Sequence, residues 1–296
     1  MNVGQVLVNG VTLGSVYALV ALGFSIIYGT TRIFHFAHGV VYAFGAYFAY
    51  WFVIKLGLPA PLGIGLAVGL AAVLGLAIDR VAYEPLVRRG ASPLALVITS
   101  LGVFIVLENA LALAFGSNFE TFRLLDIRSG SHLSIGTVAI TPTEILIWAV
   151  TAALFVGLVA FFRWTRVGIA VRALASDPEV AEILGMRPSA TRQVTFLVGS
   201  ALAGIAAILV SIDVGAIDPN MGLGAVVTAV VSVVIGGVGN MPAAAAGGMF
   251  LGLLQNLGIW IISSRWQDSL VFAVLILVMI FRPAGLLGRR LSRLGR

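Results

Sequence analysis

The sequence predicts an all-α, polytopic membrane protein, one bundle of about 8–10 transmembrane helices with one helix broken or re-entrant. Two bulk observations and one pattern predict it. Of the 296 residues, 60% are hydrophobic and only 10% charged, where a soluble domain carries roughly 25% charged residues. The mean hydropathy is +1.08. Apolar runs recur along the whole chain and never give way to a long polar region. A soluble fold of this size would lack the polar side chains to cover its surface, so residues 1–296 read as a single transmembrane domain.

Each run is judged by whether it offers the roughly 20 mostly apolar residues that a span needs. The first, 6–29, follows a start without Lys or Arg through residue 31. The basic region of a cleavable signal is missing, so this run reads as a span. Further runs lie at 37–56, 60–80, 93–115, 143–163, 194–213, 222–239, 242–263 and 267–283. The run 222–239 is short, follows Asp218-Pro219-Asn220 and ends in Gly236-Gly237-Val238-Gly239-Asn240. It is the one expected to break or re-enter. Between the fourth and fifth runs lies the loop 116–142, in which 132–141 alternates as a hairpin does.

Fourteen of the 18 basic residues fall on alternate connections: Arg32; Arg80, Arg88 and Arg89; five between Arg163 and Arg192; and five from Arg282 onward. The remainder, Lys55, Arg123, Arg128 and Arg265, fall on the other set. The excess of basic residues marks the cytoplasmic side. The N-terminus is therefore expected outside, the C-terminus and the segment 165–193 in the cytoplasm, and loop 116–142 outside. The net charge of +6 is dispersed between apolar runs rather than gathered on one face, which argues against nucleic acid. The chain has no cysteine, so neither a disulfide framework nor thiolate chemistry is available. Small residues at four-residue spacing, Gly10/Gly14, Gly65/Gly69, Ser200/Gly204 and Gly248/Gly252, suit close helix packing in lipid.

Segment 165–193 is the longest polar stretch on the inner side. Ser176-Asp177-Pro178-Glu179 reads as a helix start, with Ser176 as cap and Glu179 completing a capping box. Gly185 is a natural stop, which leaves a short helix at 177–184 carrying Val180, Ala181, Ile183 and Leu184. A second start follows at Pro188-Ser189. The apolar face of such a helix must be covered by lipid, by its own bundle or by a partner protein.

Glu179-Val180-Ala181 followed by Gly185 resembles the loop motif of bacterial ABC importer permeases, with Val180 in place of the middle Ala. Asn9-Gly10-Val11-Thr12-Leu13-Gly14-Ser15, Phe36-Ala37-His38-Gly39, Arg80-Val81-Ala82-Tyr83, Gly236-Gly237-Val238-Gly239 and the run from Arg282-Pro283 to Gly288 narrow the likeness. Together they resemble the branched-chain amino acid permeases, in particular their H-type subunit. The resemblance implies the vitamin B12-type importer fold and the bacterial inner membrane. It implies a homologous second permease as heterodimer partner, two cytoplasmic ATPase subunits and a periplasmic binding protein. It makes Asp177, Glu179, Val180, Ala181, Ile183, Leu184 and Gly185 the helix that couples to the ATPase. Close relatives carry urea or short amides, so the likeness does not fix the cargo.

Polar residues inside the spans are candidates for a translocation path. Glu108, beside Asn109, is costly in hydrocarbon and must face the bundle interior or water. Ser100, eight residues earlier, is expected on the same helical face. Asn9, Thr12 and Ser15 recur on the first span, Thr228 and Ser232 on the seventh, Gln255 and Asn256 on the eighth. Each either lines a path or joins neighbouring helices. His35 and His38 lack a convincing third ligand, which favours a structural role over a metal. No Gly-x-x-x-x-Gly-Lys-Ser/Thr loop is present, and Lys55 is the only lysine. Neither a catalytic group nor a bound cofactor is therefore expected, and ATP and Mg²⁺ belong to the partner subunits. A stand-alone carrier using Glu108 as its ion site is the alternative. An intramembrane enzyme would need a base beside Ser15 or Ser200, and those spans contain no histidine.

Overall fold

The computed structural model describes residues 2–123, 133–135, 137–261, 264–282 and 285–287. Part of loop 116–142, with Arg128 and His132, lies outside the described residues, as do Arg289, Arg290, Arg293 and Arg296.

Every one of the nine apolar runs coincides with helix. They are α1 (Val3–Thr31), α2 (His38–Ala49), α3 (Ala60–Ile78), α5 (Pro93–Phe115), α6 (Pro142–Trp164), α9 (Pro188–Val214), α10 (Met221–Gly236), α11 (Met241–Ile261) and α12 (Gln267–Phe281). Three shorter helices lie between them: α4 (Glu84–Arg88), α7 (Arg166–Ser176) and α8 (Pro178–Ile183). The starts follow local chemistry. Pro93 and Pro142 occupy first-turn positions, where their missing N–H is no loss. Ser92 accepts from Ala95 N, and Thr141 with Glu144 forms a complete capping box.

Among the described residues, five helical stretches are long and apolar enough to cross a membrane: Val3–Thr31, Ala60–Arg88, Pro93–Phe115, Pro142–Trp164 and Pro188–Val214. A sixth is added if α10 and α11 count as one span, bent by 115° at the glycine-rich break. That bend falls where the run 222–239 was expected to break. The remaining runs are shorter: α2 has 12 residues before continuing as π-helical turns over Tyr50–Lys55, and α12 has 15. A second π-helical stretch, Asp79–Tyr83, joins α3 to α4.

Helix α1 is the hub, buried along most of its length and packed against α9, α10 and α11. Helices α2 and α3 close over α9. Helices α5, α6 and α12 sit at the periphery and turn Ile98, Val106, Leu113, Val156 and Ile280 outward. Apolar surface of this kind is solvated by lipid, not by water. The expected hairpin forms as β2 (Leu133–Ile135) against β3 (Val138–Ile140), antiparallel with Leu133 opposite Ile140. A two-residue ladder ties β1 (Glu120–Thr121) to β4 (Ala216–Ile217) beyond the end of α9.

The small-residue pairs divide. A Cβ on Gly252 would collide with the backbone of Gly14 and Gly10, and one on Gly248 with Ala18, so α1 and α11 touch backbone to backbone. Ser200 and Gly204 meet Gly75, Gly45 and Ala71 in the same manner. Gly65 and Gly69 face open space. Gly252→Val is therefore expected to lower stability by at least about 1–3 kcal/mol through overpacking. Gly65→Val is expected to be neutral, and thermal melting of the solubilised protein compares the two.

Candidate functional site

At the arginine-rich end, the polar segment folds as two consecutive helices rather than one. Thr165 caps α7, its hydroxyl accepting from Gly168 N at 3.0 Å. Helix α7 then runs through Ser176, which is thereby used as its last residue. The N-cap of α8 is Asp177, whose carboxylate accepts from Val180 N at 3.1 Å. Capping by Ser176 is corrected accordingly: one residue cannot close α7 and open α8. The helix runs Pro178–Ile183, and the chain turns away after it at Gly185, which adopts φ 81°. There Gly185 N donates to Glu182 O and Met186 N to Ala181 O, closing the last turn. The second expected start is real, with Pro188 as the first residue of α9.

Helix α8 has two sides. Ala181 is 1% exposed and seats the helix on the protein, while Val180, Ile183 and Leu184 are 50%, 84% and 71% exposed. Asp177→Ala removes the only side-chain cap of α8 and is expected to destabilise that helix by about 1 kcal/mol. Amide hydrogen exchange over 178–184 measures it, with α9 unchanged.

Both ends of this segment are tied to the bundle. Arg32 closes α1 with φ 57°, and its guanidinium donates to Ala175 O near the end of α7 at 3.2 Å. On the far side, Arg192 of α9 places Nε 3.1 Å from the Asp79 carboxylate and Nη2 3.9 Å from Glu84. Arg80 donates to Gln193 Oε1 at 3.0 Å. The π-helical stretch after α3 thus clamps the start of α9. Behind it, Tyr83 donates to Ser100 Oγ at 2.8 Å, and Ser100 Oγ also accepts from Ala37 N at 3.1 Å. His35 Nδ1 lies 2.8 Å from the same Tyr83 hydroxyl. Burial, with His38 beside it, holds the His35 imidazole well below its ordinary pKa, so it sits there neutral. The two histidine rings are 5.8 Å apart between centres. No group of three His, Cys, Asp or Glu that could hold a metal occurs among the described residues.

The path candidates do not gather on one surface. Ser100 is fully buried in the network just described, whereas Glu108 is partly exposed and Asn109 exposed on peripheral α5. Eight residues at about 100° each leave Ser100 and Glu108 roughly 80° apart around α5, with Ser100 deep in the network and Glu108 farther along the helix. Asn109 satisfies itself on Ile105 O. Asn9 accepts from Gln5, Ser15 donates to Val11 O, and Asn256 donates to Gly252 O. Thr12 accepts from Trp148 Nε1 at 3.0 Å, joining α1 to α6. Ser232 is fully buried.

Thr228 and Gln255 do converge, on a cavity of about 640 Å³ walled by α1, α2, α9, α10, α11 and α12. Asp218, Tyr17 and Tyr42 line it as well. None of these three was singled out from the sequence. Tyrosines on hydrophobic spans look like packing, and Asp218 looks like a turn residue. The Asp79–Arg192 pair was missed too, because 113 residues separate its members.

A family described as "Branched-chain amino acid transport system / permease component" matches residues 6–279. The chain is 37% identical to the high-affinity branched-chain amino acid transport system permease protein BraD of Pseudomonas aeruginosa, over 96% of this chain and 95% of that one. It is 35% identical to the permease protein LivH of Escherichia coli, again over 96% and 95%. Among solved structures, "PsaBC from Streptococcus pneumoniae in complex with Fab" superposes with a TM-score of 0.52 at 16% identity, covering 93% of this chain and 90% of that one. That last likeness speaks to fold alone.

Proposed function

This chain belongs to the branched-chain amino acid transport permease family, and from that premise we infer that it is the membrane subunit through which an ATP-driven importer moves branched-chain amino acids. Members of the family are ABC transporter permease subunits that work with ATPase and binding-protein partners. The finer assembly proposed here is a homologous second permease forming a heterodimer, two ATPases at the arginine-rich end and a binding protein at the other. The basic residues support a cytoplasmic arginine-rich end, with the N-terminus outside and the bundle in a bacterial inner membrane. The missing Gly-Lys-Ser/Thr loop supports an ATPase, with its Mg²⁺, on separate subunits. The cargo follows the relatives' names.

One observation carries the reading: α8 presents Val180, Ile183 and Leu184 to the outside at the arginine-rich end while the bundle grips the segment on both sides. An apolar helix face outside the membrane, held rigidly, is suited to a groove in a partner. Reconstitution tests it. Uptake of leucine into liposomes is expected only when the ATPases, the second permease and the binding protein accompany this chain. Saturable uptake by the chain alone under a proton gradient would overturn the reading in favour of an ion-coupled carrier.

A further inference from the structure

The cavity combines groups that the importer reading does not yet use. Its walls are aliphatic and aromatic: Val16 and Val20 from α1, Val227 from α10, Val271 and Phe272 from α12. Its polar side chains are few. Gln255 is 3% exposed, and its Oε1 accepts the Tyr17 hydroxyl at 2.7 Å. That bond leaves the amide N–H₂ of Gln255 without a partner among the described residues. Tyr42 is 4% exposed and lines the same cavity, with Tyr17 as its electrostatic neighbour. Gln255 and Tyr42 thus bring an amide and a hydroxyl to the wall of one cavity, within reach of a ligand. Asp218 also lines the cavity. One of its oxygens accepts from Asn220 N at 2.9 Å and from Asn220 Nδ2 at 3.1 Å. The other accepts no hydrogen bond from a described residue, and Glu108 is an electrostatic neighbour of this carboxylate.

Two neutral donors, a carboxylate and an apolar wall match the chemistry of one ligand class. We propose that this cavity is a binding station for an α-amino acid with an aliphatic side chain. The ligand carboxylate takes the Gln255 amide and the Tyr42 hydroxyl, its ammonium group faces Asp218, and its side chain lies on the valine wall. The proposal rests on the importer reading and names the residues that meet its cargo. Neutral donors in place of an arginine hold the carboxylate weakly. A translocation site needs that, because it must release what it binds. The volume lies within the range of small-molecule sites, about 300–1,000 Å³.

The chain lacks cysteine, so Thr228→Cys places its only thiol on the cavity wall. The test uses membranes holding the assembled transporter without its binding protein. The rate of maleimide labelling of this chain is followed with and without leucine. Leucine at about ten times its Kd is expected to slow labelling at Thr228→Cys by about ten-fold. Isocaproate, without the ammonium group, and isoamylamine, without the carboxylate, are expected to protect much less. Adding Gln255→Leu or Tyr42→Phe is expected to abolish protection, and adding Asp218→Asn to erase the preference for leucine over isocaproate. Leu56→Cys, exposed in the connection before α3, serves as the unprotected control. Labelling that ignores leucine, or protection that survives Gln255→Leu, overturns the proposal. ATP-driven leucine uptake by the same membranes, with binding protein restored, separates the two readings. Uptake without protection sinks the station alone, and absence of any amino acid uptake sinks the importer reading.

Discussion

Arg192→Ala is expected to lower stability by about 3–5 kcal/mol. The Asp79 side chain is fully buried, and Arg192 Nε lies 3.1 Å from its carboxylate with Glu84 3.9 Å from the same guanidinium. Removing the arginine strands one carboxylate in the interior and leaves a second beside it. The loss is the desolvation of an uncompensated charge, not the worth of the pair itself. Two consequences follow. Arg192→Lys keeps the charge but loses the planar fork that reaches both acids, and is expected to fall between wild type and alanine. Arg192→Met combined with Asp79→Leu removes both charges and is expected to recover most of the stability that the single change loses. Thermal melting of the detergent-solubilised protein, followed by tryptophan fluorescence, reads all three. If the double variant melts no higher than Arg192→Ala, the buried charge is not what the arginine offsets.

That pair also marks where sequence reading stops. The apolar runs translate directly into helices because hydrocarbon leaves the backbone no partner but itself. The glycine-rich stretch from Gly236 to Asn240 announced a break, and α10 and α11 meet there at 115°. Loop 116–142 announced its hairpin by alternation, and Leu133 pairs with Ile140. Helix α7 was harder to see, because its 11 residues are too polar and too short to resemble a span. Missing it shifted the cap of α8 by one residue, from Asp177 to Ser176. The least legible features are convergent ones. Tyr83, Ser100 and the pair His35 and Ala37 meet from three different segments. The cavity draws Tyr42, Asp218 and Gln255 from three more. No spacing rule relates residues whose proximity is decided by how helices cross. The polarity of Glu108 and Asn109 on α5 was visible; Asn109 is exposed, while Glu108 is half-buried with Asp218 as its electrostatic neighbour.

The docking face of α8 yields the second large effect. Ile183 and Leu184 are 84% and 71% exposed, so replacing both with Asp touches nothing in the fold. Stability is expected to stay within about 0.5 kcal/mol, as for other surface changes. Binding is another matter. Apolar anchors that fill a partner's groove contribute about 2 kcal/mol or more each, which is roughly 30-fold in affinity per residue. A carboxylate forced into that groove adds its own desolvation penalty. The double variant is therefore expected to insert and melt like wild type, to lose co-purifying ATPase, and to abolish ATP-driven uptake. Ala181→Asp supplies the contrast. Ala181 is 1% exposed beneath the helix, so this change unseats α8 itself and should lower the melting temperature as well as uptake. The separation between the two variants is the diagnostic. Were α8 merely resting on lipid, aspartate at Ile183 and Leu184 would lift it from the surface without disturbing the ATPases, and uptake would continue.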